Sequence, residues 1–147
     1  MPKIDRYEQL VAWQFANELA DLVDAMTTSG DASRNQSFRE QLLKASAKAP
    51  AQIAEGFLRF KPRESAYYYR IARASIGETQ THLQRGRRRG YWTDDVFTTA
   101  WRVSDSALKT TTGLLLSRLA RIKQEERDEQ QRKRQRGKAP EQPRGDL

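Results

Sequence analysis

The 147-residue sequence predicts an all-α protein, an antiparallel up-down-up-down four-helix bundle over residues 1–123, and three observations carry that expectation. Apolar residues recur at three- and four-residue spacing in four separate stretches, the period of a helix with one buried face. Short breaks at 27–35, 60–62 and 90–93 separate the stretches, and short connections join antiparallel neighbours in bundles. No segment shows the apolar/polar alternation of a half-buried strand.

The first helix opens at Asp5, with Glu8 three residues on as a capping box. Tyr7, Val11, Phe15, Leu19, Leu22 and Met26 form its expected inward stripe, and Trp13 lies to one side. Residues 27–35 read as a loop with Gly30 as terminator. Ser37 and Glu40 mark a second capping box. The helix they open carries Ala45, Ala47, Ala49, Ala51 and Ala54, small residues that admit close neighbours. Pro50 sits inside it, lacks a backbone donor and clashes with the preceding turn, so a bend near Ala47–Ala49 is expected. Leu42, Ala45, Ala49 and Ile53 face inward, Glu55 is an interior carboxylate, and Gly56 loosens or ends the helix.

Pro62 suits the first turn of a third helix running from about Arg63 to Arg88 and ended by Gly90. Tyr68, Ile71, Ala72, Ser75, Thr79, His82 and Leu83 make its thin inward stripe. Thr93 is a good N-cap for the fourth helix, with Asp94 and Asp95 at the positive end of its dipole. That helix shows two adjoining apolar stripes, one with Phe97, Trp101, Leu108 and Leu115, the other with Val96, Val103, Ala107 and Leu114. Their combined width exceeds what one bundle core needs, so burial between subunits is expected. Residues 124–147 read as a charged tail, partly helical and then disordered from Gly137.

Charge narrows the function. The net charge is +8, which favours a polyanionic partner. Residues 59–90 hold nine Lys/Arg against two Glu, so the excess sits in one segment. Arg63, Arg70, Arg73, Arg85, Arg87, Arg88 and Arg89 are its candidate nucleic-acid contacts, for RNA or DNA without sequence preference. The Tyr67–Tyr69 run beside Arg70 and Arg73 could stack bases, although tyrosines at a bundle seam are commoner. With no cysteine there is no disulfide, thiol nucleophile or thiolate metal site. Glu55, Glu78 and His82 are too few for a di-iron site, so the expectation is no metal, no cofactor and no catalytic residue. The chain lacks a long apolar run and a signal-peptide core, so no membrane is expected and a cytoplasmic location follows.

The run Gln41 to Gly56 resembles the four-helix-bundle family encoded by intervening sequences within 23S ribosomal RNA genes. Gln41, Lys44, Ala45, Pro50, Ile53, Ala54, Glu55 and Gly56 match its characteristic motif. Trp13-Gln14 matches a pair in the family's first helix, and Ile71 to Glu78 a run in its third. Gln52, Lys48 and Ala74 depart from the family's Asn, Ser and Gly, and the tail after Lys123 has no counterpart. The resemblance implies structural roles for Trp13, Pro50, Glu55, Gly56 and Glu78, and a homopentameric ring. It also implies kinship with the accessory variability determinant of diversity-generating retroelements, which binds nucleic acid and a reverse transcriptase. The expectation is therefore a non-enzymatic oligomer that binds nucleic acid. The alternative is a structural or protein-interaction scaffold, a partner of a retroelement reverse transcriptase.

Overall fold

A computed structural model describes residues 3–138, 140 and 145. Among them the chain is all helix, turn and loop, with no strand. A 3₁₀ turn at Tyr7–Gln9 precedes α1 (Val11–Met26), the short α2 (Gly30–Arg34), α3 (Gln36–Phe57), α4 (Pro62–Arg88) and α5 (Asp94–Arg136). α1 packs on α3 and α5, and α4 packs on the same two helices. The expected disorder beyond Gly137 falls mainly on residues outside those described.

The helix starts follow local chemistry. Before α1, the backbone N–H groups of Asp5 and Arg6 donate to Gln9 Oε1 at 2.8 and 3.1 Å, so Gln9 rather than Glu8 reaches back. Phe38 N–H donates to Asn35 Oδ1 at 3.2 Å, which moves the expected second cap from Ser37 to Asn35. Thr93 Oγ1 accepts from Val96 N–H as predicted. Gly90 takes φ 73°, a left-handed value that glycine adopts without strain.

The inward stripe of α3 is the predicted one: Leu42, Ala45, Ala49 and Ile53 are buried. α3 continues unbroken through Pro50, whose ring is buried. α1 is turned from the expected register. Ala12, Ala16, Leu19, Val23 and Met26 are buried, whereas Val11 is 53% exposed and Phe15 and Leu22 only flank the core. The small alanines let neighbouring helices come close, and the larger side chains close the seams at the sides. In α4, Tyr69 and Ile76 are buried where Tyr68 and Ile71 were expected.

α5 buries one row, Phe97, Ala100, Ser104, Ala107, Thr111 and Leu115, drawn from both predicted stripes. Trp101, Val103, Leu108 and Leu114 stand half-buried beside it. Most of the apparent surplus is therefore used within the chain. Trp13 likewise packs edge-to-face on Tyr7, ring centres 5.5 Å apart.

Two glycines admit the largest rings of the interior. A Cβ on Gly56 would lie 2.7 Å from Tyr69 Cε1, and one on Gly86 would lie 2.2 Å from Trp92 Cζ3. Gly56 therefore does not end α3; it makes room for Tyr69. Trp92 is held further by its Nε1–H, which donates to Met26 O at 2.9 Å and ties the start of α5 to the end of α1.

Candidate nucleic-acid interface

The last turns of α4 and the first of α5 form an open groove of about 670 Å³, lined by Gln84, Arg87, Arg88, Phe97, Thr98 and Trp101. Its floor is aromatic: Phe97 and Trp101 stack with centroids 5.7 Å apart and planes 22° from parallel. The Arg87 guanidinium lies 4.6 Å from the Phe97 ring centre, and its Nη2 stands 3.8 Å from Asp94 Oδ1. Arg89 donates to the Tyr91 hydroxyl at 3.3 Å, and Asn35 Nδ2 donates to the same oxygen at 2.9 Å. These two donors, Asn35 first, hold the Tyr91 phenol below its ordinary value by favouring the phenolate. Arg85 and Arg88 are exposed and make no ion pair among the described residues. Phe97 is buried beneath Arg87, so half-buried Trp101 is the ring left partly open beside the guanidinium, and that pairing suits a phosphate next to a stacked base.

The candidate arginines fall into two groups. Arg63 lies about 33 Å along α4 from Arg85 at 1.5 Å per residue. It pairs with Glu126 Oε1 at 2.6 Å. Arg73 donates to Thr112 Oγ1 at 3.0 Å, and Arg70 is exposed. Arg63 and Arg73 thus tie α4 to α5, and the groove takes Arg87 and Arg88, with Arg85 and Arg89 at neighbouring positions. Of the three tyrosines, Tyr69 is fully buried, Tyr67 is exposed, and Tyr68 is half-buried beneath Arg59 at 4.9 Å.

Glu55 is no interior carboxylate. Its side chain is 43% exposed and pairs with Arg59 one turn on. Glu78 is also exposed, and its Oε1 stands 3.8 Å from His82 Nε2. Among the described residues no group of three or more His, Cys, Asp or Glu could hold a metal ion. No helix there is long and apolar enough to cross a membrane.

Sequence reasoning missed Gln84 and the role of Trp101 in the groove. The signal was present: Gln84, Arg87 and Arg88 share a helix face by spacing, as do Phe97 and Trp101. What the sequence lacked was the contact that sets one face against the other.

The fold and groove define a helical protein with a basic, aromatic-floored surface at one end. The family model for the 23S rRNA-intervening sequence protein matches residues 8–113, and the chain belongs to that family. A solved structure of a protein of unknown function, from the S23 ribosomal protein family of Bacteroides thetaiotaomicron, has a similar fold. Its TM-score is 0.64 at 18% identity, covering 71% of this chain and 98% of that one. No curated protein matches.

Proposed function

We propose that this protein is a non-enzymatic antiparallel four-helix bundle that assembles into a ring of identical subunits and binds nucleic acid without sequence preference. The observation that supports it best is the groove itself, where Arg87 and Arg88 flank stacked Phe97 and Trp101. Arginine supplies phosphate contacts and half-buried Trp101 a sequence-tolerant stacking surface. Several copies in a ring would repeat the field of Arg85 and Arg88 around one assembly. The test replaces Arg85, Arg87, Arg88 and Arg89 by Gln and measures RNA and DNA binding by fluorescence anisotropy. Loss of affinity across all sequences supports the groove; unchanged affinity rejects it.

A second reading, a protein-interaction scaffold, has its own support. Phe60 is 100% exposed, with Leu58 and Tyr67 nearby in sequence and also exposed. Retention of a reverse transcriptase with no nucleic-acid binding would favour the scaffold.

A further inference from the structure

We propose that the last three to four turns of α5 form a duplex-DNA arm that lies in the major groove through Lys123, Arg127, Gln130, Gln131 and Arg134. This surface stands apart from the α4–α5 groove, since Arg127 lies about 45 Å along α5 from Phe97 at 1.5 Å per residue. The inference does not depend on the groove reading. It also lies beyond the family match, which ends at residue 113.

Helix geometry separates the charges. At 100° per residue, Glu125, Glu126, Asp128 and Glu129 fall within an arc of about 160°. Lys123, Arg127, Gln130, Gln131 and Arg134 occupy an arc of about 100° that holds no carboxylate. The buried residues of α5 lie on the opposite side from that stripe, so it faces away from the rest of the chain.

Each carboxylate on the acidic side already has a partner. Glu125 meets Arg121 at 3.4 Å, Glu126 meets Arg63 at 2.6 Å, and Glu129 meets Lys133 at 2.9 Å. Asp128 accepts from Gln124 Nε2 at 2.9 Å. Lys123, Arg127 and Arg134 make no ion pair among the described residues. The acids are thus spent on holding the helix, and the stripe keeps its charge for something outside the chain.

The shape selects the partner. After Ile122 the helix has no apolar residue through Lys138, so it offers no seam for a coiled coil. From Glu129 onward every helical residue is exposed, and the Arg63–Glu126 pair anchors the base. A lone helix of about 10–12 Å diameter fits the major groove of B-form DNA, about 12 Å wide. The deep, narrow major groove of duplex RNA does not admit one. Lys and Arg at i, i+4 and i+11 reach phosphates, and the glutamines between them can meet base edges in the groove.

The test compares two triple variants of the full chain that lose equal charge. Lys123→Gln/Arg127→Gln/Arg134→Gln removes the stripe; Arg132→Gln/Lys133→Gln/Arg136→Gln removes charge from the acidic side. Gln retains helix propensity, which circular dichroism verifies. With a labelled DNA duplex of about 20 base pairs, the stripe variant should lose about tenfold or more in affinity and two to three units of salt slope, the control about threefold or less. The variant with Arg85, Arg87, Arg88 and Arg89 replaced by Gln should bind duplex DNA more tightly than duplex RNA of the same sequence. Equal losses from the two triples, an unaffected stripe triple, or an RNA preference of that variant would each overturn the arm. The Arg85–Arg89 variant keeps the stripe, so its failure and the failure of the arm are read separately.

Discussion

The ring of Tyr69 occupies the space that a side chain at position 56 would need, with a Cβ there only 2.7 Å from Cε1 and 3.2 Å from Ser65 O. Gly56 and Tyr69 therefore work as one unit holding α3 against α4. Gly56→Ala gains about 1 kcal/mol of helix propensity but forces a shift in a packed ring, typically about 1–3 kcal/mol. We expect a melting temperature several degrees lower. An unchanged or higher value would show that the ring moves freely.

This pair also shows what the sequence could and could not tell. Gly56 belongs to the run that carried the family resemblance, yet a glycine near a helix end reads naturally as a terminator. Its real partner lies thirteen residues away on another helix, which no periodicity reveals. α1 failed for a related reason. Val11, Phe15 and Leu22 outweigh Ala12 and Ala16 in hydrophobicity, but close helix packing put the alanines in the centre. The stripe of α3 was legible because the small and large apolar residues there point the same way. Two of the six groove residues, Arg87 and Arg88, were visible as charge; Trp101 was read only as part of one of the two apolar stripes of α5.

Gly77 gives the opposite expectation from Gly56. A Cβ there meets nothing within 4 Å, in the middle of α4. Gly77→Ala should stabilise the chain by about 0.5–1 kcal/mol, read as a higher melting temperature. A lower one, with a smaller assembly in solution, would place another copy against that face of α4.

Alkaline pH should separate Tyr69 from Tyr91. Burial raises the Tyr69 phenol above its ordinary value of 10.0, opposed more weakly by the Arg118 charge. Neither the Tyr69 hydroxyl nor Arg118 Nε has a hydrogen-bond partner among the described residues. Above pH 10 the unfolded chain releases this proton while the folded chain holds it, so stability falls as pH rises. Tyr91, held low by Asn35 and Arg89, contributes the reverse sign. Tyr69→Phe should cost less than about 1 kcal/mol at neutral pH, its hydroxyl being unpartnered. It should also flatten the fall in melting temperature from pH 9 to 11. A steeper fall would contradict the assignment.

For the groove, the expected signature is in salt. Replacing Arg85, Arg87, Arg88 and Arg89 by Gln should reduce the slope of log affinity against log salt by roughly one unit per lost phosphate contact. Trp101→Ala should weaken single-stranded binding by about 1–3 kcal/mol with the slope unchanged. A slope that changes with Trp101 but not with the arginines would reverse the roles proposed for them.

The proposed oligomer rests largely on other residues than those that first pointed to it. Trp13, Trp101, Val103, Leu108 and Leu114 are all at least half-covered within the chain. What remains outside includes Ile4, Val11, Tyr67, Val96 and Leu116, the last 59% exposed, with Leu58 and Phe60 between α3 and α4. Val11 begins α1, and Leu116 lies on the exposed side of α5, so the two occupy different helices. A contact joining unlike faces of identical subunits closes into a ring or grows into a fibre. Light scattering at micromolar concentration decides between these. A monomer mass of 17.0 kDa would reject assembly altogether. About 34 kDa would keep a two-fold interface and reject the ring, and about 85 kDa is expected for five copies in a closed heterologous ring. Leu116→Glu should then reduce the mass without lowering helix content, because its side chain stands outside the core that folds each subunit.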